Sequence, residues 1–431
     1  MNLSCSPRCV NAVRVTAAAL VGALGLTLAS LGGVDTARGS STSVIWDSAT
    51  TSGLIDHTID GDTVAVRVEG DAPDVPPPHV RNAGIQTMET GDCHAAEATS
   101  AMKSLVTGRA VRMTINDPAA SSLGRPVRYL DVQTSTGWTD PQLSQLRGGH
   151  ALPVVNGGDP TRWRAYFTAA QQAAREGRNL WDTDYCAAGP AQSTPLRLWV
   201  NWDGNGNEGA DPNTEYVRVL NPGSTVLGIG GWAVRTGGQD SYTFPSTARV
   251  PAGGTLTLRV GTGTNTTTTF HWGWSVPKFA NANLATNAYG SGAYLFDPDG
   301  DLRAWSIYPC LTACSDPLTG KVSLAVHPDA SGVDADNVNG EYVRLSPAGT
   351  SRVDLSYKVL SANGYTYELP RGTVVEPGET LTVHVGQGSS SRLRQFWGNT
   401  RPVLANAGGA LELRTPDSIR LACRAWGTGR C

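Results

Sequence analysis

The second half of the chain repeats itself. The sequence Glu-Tyr-Val-Arg at residues 215–218 recurs at 341–344, and Pro-Ala-Gly-Gly-Thr-Leu-Thr-Leu at 251–258 has the counterpart Glu-Pro-Gly-Glu-Thr-Leu-Thr-Val at 376–383. Both copies alternate apolar and polar residues between Gly/Pro turns, which is typical of strands. Two matching units of roughly 110–120 residues, made of strand and turn signals, have the size of β-sandwiches. The repeat therefore predicts two sandwiches in tandem.

Length and composition agree with this prediction. A chain of 431 residues is too long for one core and fits two or three domains. With 50 glycines, 26 prolines and 16% charged residues, it is turn-rich and mostly β. The formal net charge of -3 provides no overall basic field, so any phosphate binding must come from a local arginine cluster.

The first 39 residues have the pattern of an export signal. Arg8 and Arg14 precede an uncharged run, 15–34, that is rich in Ala, Leu and Gly, and Thr-Leu-Ala at 27–29 offers a cleavage site. An uncleaved membrane anchor is the alternative, because the run is just long enough to span a bilayer. We expect a secreted, extracellular chain, attached to a membrane or cell surface if the segment is kept.

Export makes the cysteine pattern readable, because secreted thiols usually form disulfides. Cys5 and Cys9 fall in the signal. The other six predict three disulfides: Cys93 with Cys186, Cys310 with Cys314, and Cys423 with Cys431. Half of a zinc site is the alternative for the Cys310 pair, but no histidine lies at ligand spacing near it.

Residues 40–189 mix strand and helix signals. Val64, Val66 and Val68 alternate with polar residues, as half-buried strands do. One amphipathic helix is predicted over about 95–106, and a second is predicted from an N-cap at Thr161 to Gly177. Strands followed by packed helices predict a small barrel with helices laid against it.

Four short motifs in this region carry a resemblance. They are Asp-Gly-Asp-Thr at 60–63, Arg-Asn-Ala-Gly-Ile-Gln-Thr-Met-Glu at 81–89, Gly-Arg at 124–125 and Asn-Leu-Trp at 179–181. Taken singly, each is better explained as a turn, a surface charge or a helix end. In this order, over about 120 residues, they resemble the staphylococcal nuclease-like (thermonuclease) family.

The resemblance implies a calcium site. Asp62 would ligate the ion with its carboxylate and Thr87 with its backbone carbonyl, while Gln86 stands where the family has its second acidic ligand. An amide oxygen can coordinate Ca²⁺ but brings no charge, so we expect weaker binding.

The resemblance also implies a catalytic set. Glu89 would take the proton from the attacking water, and Arg81 and Arg125 would neutralise charge on the phosphoryl oxygens. The implied substrates are DNA and RNA, cut with little sequence preference to leave a 3′-phosphate. Met88 replaces a usual proline and Leu123 stands at the position of a tyrosine, so base contacts are not expected to match the family.

The repeated units resemble lamin-tail domains, which are immunoglobulin-like sandwiches. The resemblance lies in the Asn-Thr-Glu-Tyr-Val and Asn-Gly-Glu-Tyr-Val entries at 213–217 and 339–343, and in the Gly-Trp pair at 231–232. Asp-Gly-Asn-Gly-Asn at 203–207 starts like a calcium loop, but its continuation favours a plain surface loop.

The predicted fold class is mainly β: an OB-fold-like barrel with packed helices (α+β), followed by two immunoglobulin-like β-sandwiches. The predicted domains are a signal peptide (1–39), a nuclease-like domain (40–189) and sandwiches at 190–316 and 317–431.

We expect a monomeric, calcium-dependent nuclease whose sandwiches attach it to a cell-envelope or extracellular ligand or capture substrate. The alternative is an inactive barrel that serves, with the sandwiches, as an extracellular binding or adhesion protein.

Overall fold

The computed structural model describes residues 48–68, 70–156, 158–186, 194–282 and 289–431. The predicted export signal, Cys5 and Cys9 lie outside the described residues. None of the described helices has the length and apolar composition needed to cross a membrane.

The first part of the chain, 48–186, is called the barrel domain. Its strands are β1 (Thr50–Asp60), β2 (Thr63–Val68), β3 (His79–Asn82), β4 (Ile85–Gln86), β5 (Ala110–Thr114), β6 (Ser121–Ser122), β7 (Arg125–Thr134), β8 (Gly137–Thr139) and β9 (Leu152–Pro153). Strands β3, β2, β1, β5 and β7 are hydrogen-bonded in that order, and β3 also pairs with β7 in parallel. This last pairing closes five strands into a barrel, so the sequence-based prediction of the fold is confirmed.

Helices α1 (Ala95–Val106), α2 (Pro141–Gly148) and α3 (Trp163–Arg175) pack against the barrel. The prediction of α1 is confirmed. The predicted cap of α3 is wrong: Arg162 occupies the cap position without a side-chain cap, and the Thr161 hydroxyl donates to Asp159 Oδ1 at 2.6 Å instead. Helix α2 was not predicted, because it is only two turns long.

The second and third parts of the chain form two sandwiches. The first sandwich has β10 (Arg197–Asn201), β11 (Tyr216–Leu220), β12 (Leu227–Gly228), β13 (Ala233–Thr236), β14 (Ser241–Thr243), β15 (Arg249–Val250), β16 (Thr255–Arg259), β17 (Thr269–His271), β18 (Ser291–Phe296) and β19 (Leu302–Tyr308). The second has β20 (Val322–His327), β21 (Tyr342–Pro347), β22 (Val353–Asp354), β23 (Val359–Ala362), β24 (Tyr365–Glu368), β25 (Val374–Val375), β26 (Leu381–His384), β27 (Arg394–Phe396), β28 (Gly408–Arg414) and β29 (Arg420–Gly427).

The two sandwiches have the same topology. Sheets β10-β11-β16-β17 and β14-β13-β18-β19 of the first correspond to β20-β21-β26-β27 and β24-β23-β28-β29 of the second. The repeated glutamate explains part of this identity, since Glu215 accepts hydrogen bonds from the backbone N–H groups of Lys278 and Phe279, and Glu341 from those of Val403 and Leu404. Both carboxylates are fully buried and hold a loop across one end of their sandwich.

All three expected disulfides are present. Cys93 joins Cys186 in the barrel domain, while Cys310–Cys314 and Cys423–Cys431 close short loops. The pairing of Cys310 with Cys314 decides against a zinc site there. Three disulfides are typical of a protein in an oxidising, extracellular environment.

The barrel domain and the first sandwich share one hydrophobic core. Tyr294, Phe296, Leu302 and Ile307 of the sandwich belong to the cluster of buried residues that fills the barrel domain. Trp181 packs edge-on against Trp305, with ring centroids 5.2 Å apart.

The second sandwich meets the first through polar groups and through one aromatic pair, Trp199 and Tyr357, whose ring centroids lie 4.9 Å apart. The Glu368 carboxylate pairs with Arg218 at 2.6 Å and accepts hydrogen bonds from Tyr216 Oη and Trp199 Nε1. The predicted surface loop at 203–207 lies in this contact, because Asp203 forms an ion pair with Arg414 at 2.8 Å.

Candidate active site

Strand pairing brings the predicted site residues to one edge of the barrel. Thr63, next to Asp62, lies opposite Arg81 in the β2–β3 pair, and Arg81 in turn lies opposite Val127 in the β3–β7 pair. Arg125 opens β7 two residues earlier. The closure of the barrel therefore places Asp62, Arg81 and Arg125 together, although they are far apart in sequence.

Asp62 is buried in the turn between β1 and β2. Its Oδ2 accepts hydrogen bonds from the backbone N–H of Thr87 at 2.9 Å and from the Thr87 hydroxyl at 3.2 Å, and it pairs with Arg81 Nη2 at 3.1 Å. Burial, with a smaller contribution from the nearby Asp60, raises the pKa of Asp62 to about 6, because together they outweigh the opposing attraction of Arg81. The negative charge here is only partly compensated.

Gly61 allows this turn to lie close to its neighbours. A Cβ at this position would stand 2.7 Å from Thr87 Cγ2 and 2.8 Å from Ala98 Cβ on α1. The motif Asp-Gly-Asp-Thr therefore has a steric reason, since only glycine lets the turn pack against both the 87 segment and the helix.

Arg81 forms the centre of the site. Its Nη1 donates to the carbonyls of Asp62 and Asn82, at 3.3 and 2.9 Å. Its Nη2 donates to the Ile85 carbonyl at 2.9 Å and to Gln86 Oε1 at 2.6 Å, besides its ion pair with Asp62. In this structure the terminal nitrogens of Arg81 are thus occupied by protein oxygens.

Gln86 links this arginine to the predicted general base. While its Oε1 accepts from Arg81, its Nε2 donates to the Thr87 carbonyl at 2.9 Å and to Glu89 Oε1 at 3.2 Å. Glu89 is exposed to solvent. An aspartate at this position could not donate to Glu89, so the contact depends on the amide of Gln86.

Arg125 is the more open of the two arginines. Its Nη1 donates to Thr63 Oγ1 at 3.2 Å and its Nε to the Ser122 carbonyl at 3.3 Å. Nη2 has no hydrogen-bond partner in the described part of the chain. Leu123, at the tip of the β6–β7 turn, is 94% exposed.

The expected residues therefore form one cluster. Burial lowers the pKa of Arg81 and the neighbouring Arg125 lowers it further, whereas Asp62, Asp60 and Glu89 raise it. All of these groups lie within electrostatic reach of a single guanidinium. The structure thus brings Asp62, Arg81, Glu89 and Arg125 near one another, while their roles stay predictions.

The oxygen atoms of the cluster are of the type that a hard cation binds. Calcium prefers carboxylate and carbonyl oxygens, and the cluster offers the Asp62 carboxylate, the Thr87 carbonyl and Gln86 Oε1. The last two accept hydrogen bonds from Gln86 and Arg81 here, and only Asp62 carries charge. The donor set therefore suits Ca²⁺ in the chemistry of its oxygens and offers a single charged ligand.

Comparison with known families addresses the second half of the chain. The Lamin Tail Domain family model matches residues 200–309 and 318–428, about half of the protein. The chain belongs to the lamin tail domain family. The first and second sandwiches are therefore its first and second lamin-tail domains. No nuclease family model matches the barrel domain, and no curated protein matches the chain.

The first lamin-tail domain reaches the candidate site. Gln239, in the hairpin between β13 and β14, donates from Nε2 to Glu89 Oε1, and Arg235 Nη1 lies 3.7 Å from Met88 Sδ. A Cβ at Gly237 would meet the Pro153 carbonyl at 2.8 Å, which shows how closely this hairpin approaches the barrel. Sequence analysis missed Gln239 because no local pattern indicates which sandwich loop meets the barrel.

Proposed function

We propose that the barrel domain is a calcium-dependent phosphodiesterase that hydrolyses DNA and RNA. The observation that carries this proposal is the cluster itself: a buried Asp62, a second arginine, Arg125, and an exposed Glu89 lie around the guanidinium of Arg81. Hydrolysis of a phosphodiester requires a base for water and cations for the developing phosphoryl charge.

Glu89 is the proposed general base. Two side-chain amides, from Gln86 and Gln239, donate to its Oε1. Its Oε2 accepts no hydrogen bond from the residues that the structure describes, and so can take a proton from water. The two amides fix the orientation of the carboxylate, which favours proton transfer along one direction.

The arginines have different proposed roles. Arg125 Nη2 has an unused donor for a phosphoryl oxygen. Arg81 must exchange one of its protein acceptors, such as Gln86 Oε1, for a phosphoryl oxygen when substrate binds. Since a guanidinium donates two parallel hydrogen bonds, it suits this geometry better than lysine.

Ca²⁺ would be held by Asp62, with Thr87 and Gln86 as neutral ligands. When bound, it would supply positive charge that polarises a phosphoryl oxygen. The two lamin-tail domains would attach the enzyme outside the cell or capture substrate. The disulfides support an extracellular location.

The test uses the purified full-length chain with single-stranded DNA, double-stranded DNA and RNA, in calcium or in a chelator. We expect hydrolysis that requires calcium and falls at least about 100-fold in Glu89→Gln. The rate of hydrolysis by Arg125→Ala is expected to fall by a similar factor. Arg67→Ala is the matched control, because Arg67 pairs with Asp56 on the barrel surface. Hydrolysis that ignores calcium and survives Glu89→Gln would contradict the proposal.

The second candidate is a binding protein with an inactive barrel. The engaged state of Arg81 favours it, since each terminal nitrogen already has protein acceptors. The absence of hydrolysis by the parent chain with any divalent ion would support this reading instead.

A further inference from the structure

The repeated Glu-Tyr-Val-Arg segment has a defined task in the first lamin-tail domain. Tyr216 and Arg218 lie on the outer face of the β10-β11-β16-β17 sheet, with the guanidinium carbon 4.9 Å from the tyrosine ring centroid. Together they bind the Glu368 carboxylate: Arg218 Nη1 is 2.6 Å from Oε1 and Tyr216 Oη is 2.8 Å from Oε2. The pair is a carboxylate receptor inside the molecule.

The second lamin-tail domain carries the same pair in the same geometry. Arg344 lies over the ring of Tyr342 at 4.9 Å. The corresponding sheet positions agree, because Tyr216 pairs with Asn201 and Arg259, and Tyr342 with His327 and His384. No carboxylate lies within ion-pair distance of Arg344 among the described residues, and its side chain is exposed.

The surroundings of this pair are basic and aromatic. Tyr342 stands in a row of four rings across the sheet: it stacks on His327 and makes a tilted contact with His384, and Phe396 lies next to His384. Arg394 lies over Phe396 at 5.2 Å, in the same cross-strand row as Arg344. We call the surface formed by Tyr342, Arg344, His384 and Arg394 the Tyr342 face.

We propose that the Tyr342 face binds a protein partner that presents a carboxylate from the edge strand of a β-sheet. This chemistry is the one with which β24, carrying Glu368, occupies the equivalent face of the first domain. The exposed arginines complement a negative charge, and the Arg344–Tyr342 contact already holds the guanidinium in the receptor geometry, which reduces the entropy lost on binding.

The two corresponding edge-strand positions that the structure describes, Glu368 and Thr243, offer no free carboxylate in a second copy of this chain. Its Glu368 is already bound by its own Tyr216 and Arg218. The matching position of the first domain is Thr243, since Thr243 faces Ala233 as Glu368 faces Val359. Threonine has no carboxylate, so the expected partner is a different protein.

Single-stranded nucleic acid is a poorer occupant. Such binding uses the open faces of aromatic rings as stacking surfaces for bases. In this row the rings cover each other: His327 and Tyr342 are 12° from parallel with centroids 4.6 Å apart, and His384 stacks on Phe396 at 5.3 Å. Each stacked pair covers one face of both of its rings, so fewer ring faces are open to a base than on four separate rings.

The experiment uses a labelled full-length chain and an acetylated, amidated peptide of residues 363–370, which contains Glu368, titrated to millimolar concentration by thermophoresis. We expect binding by the parent chain, and at least about tenfold weaker binding by Arg344→Gln and Tyr342→Phe, because each loses a hydrogen bond to a charged group. The same peptide with glutamine at position 368 should bind as weakly. Arg352→Gln, an exposed arginine of the same domain, is the charge-matched control and should bind like the parent.

Three results would overturn the proposal. The parent chain could fail to bind the peptide. Binding could be lost in Arg218→Gln but kept in Arg344→Gln, which would place the peptide on the first domain. A thymidine oligonucleotide could bind in an Arg344-dependent way while the peptide does not, which would make the face a nucleic-acid surface.

Discussion

The two lamin-tail domains have the same topology but different neighbours. The first places Tyr294, Phe296, Leu302 and Ile307 in the core of the barrel domain, whereas the second has a core of its own and meets the first through Glu368 and the 203–207 loop. An apolar interface is continuous with a folding core, while a polar one resembles a contact between separate domains. The barrel and the first domain should thus behave as one unit.

The two lamin-tail domains also differ in their contacts with the candidate site. Gln239 of the first domain donates a hydrogen bond to Glu89. Within the described residues, the second domain makes no hydrogen bond or ion pair to the barrel domain. One copy of the repeat has become part of the proposed enzyme, and the other keeps its outer sheet face open.

Truncation of the shared core should have the largest effect. Phe296→Ala removes a buried ring, and we expect the free energy of unfolding to fall by about 3–5 kcal/mol. The barrel and the first domain should then unfold together, at a lower temperature than in the parent. Leu413→Ala, in the core of the second domain, is the counterpart and should shift only that domain. Calorimetry with a tryptophan fluorescence melt checks this. If Phe296→Ala left the barrel transition in place, the one-unit description would be wrong.

Removal of the carboxylate between the lamin-tail domains should have the next largest effect. Glu368→Gln leaves Arg218 without its ion pair and is expected to weaken the contact between the domains by about 3 kcal/mol. Small-angle scattering and limited proteolysis should then show a detached second domain, with the melt of the barrel unchanged. Arg392→Gln, an exposed position in the same domain, should leave the scattering profile as it is.

The buried glutamates should make stability depend on pH. Burial raises the pKa of Glu215 to about 8, and it raises the pKa of Glu341 as well. For a pKa raised on folding, the stabilisation is complete below the unfolded value of about 4.5 and is lost as pH rises through about 8. Glu215→Gln should therefore raise the melting temperature relative to the parent more at pH 8.5 than at pH 5. An equal effect at both pH values would mean that Glu215 does not titrate in this range.

The smallest effect is expected at the contact between the first domain and the site. Gln239→Ala removes one of two amide donors to Glu89 and should lower kcat by about 3- to 10-fold, with KM little changed. The kcat of Gln239→Asn should fall less if its shorter amide still reaches Glu89. Arg344→Gln, on the second domain, should not alter the rate. A change in KM alone would indicate substrate binding by Gln239 and not orientation of the base.

Much of the fold could be predicted from local patterns. The repeat at 215–218 and 341–344 indicated two like domains, and the amphipathic spacing at 95–106 indicated α1. The first residue of α3 could not be predicted, because the Thr161 hydroxyl donates a hydrogen bond to Asp159 and does not cap the helix. A side-chain cap depends on which acceptor lies nearer, and sequence spacing does not show that.

The site shows the same limit. Ordered motifs indicated that Asp62, Arg81 and Glu89 belong together. They could not show that Gln86 donates to Glu89 or that Gln239 comes from another domain, because both contacts depend on how separate elements pack. Similarly, the repeated Tyr-Arg pair was visible as sequence, but its function as a carboxylate receptor required the position of Glu368.

The proposed activity is tested most directly by single-turnover cleavage of a labelled single-stranded oligonucleotide by the full-length chain in calcium, compared with Glu89→Gln. We expect cleavage by the parent and a rate at least about 100-fold lower in the variant, with both chains equally folded. Equal rates in the two chains would show that the cluster around Arg81 is not where phosphodiesters are hydrolysed.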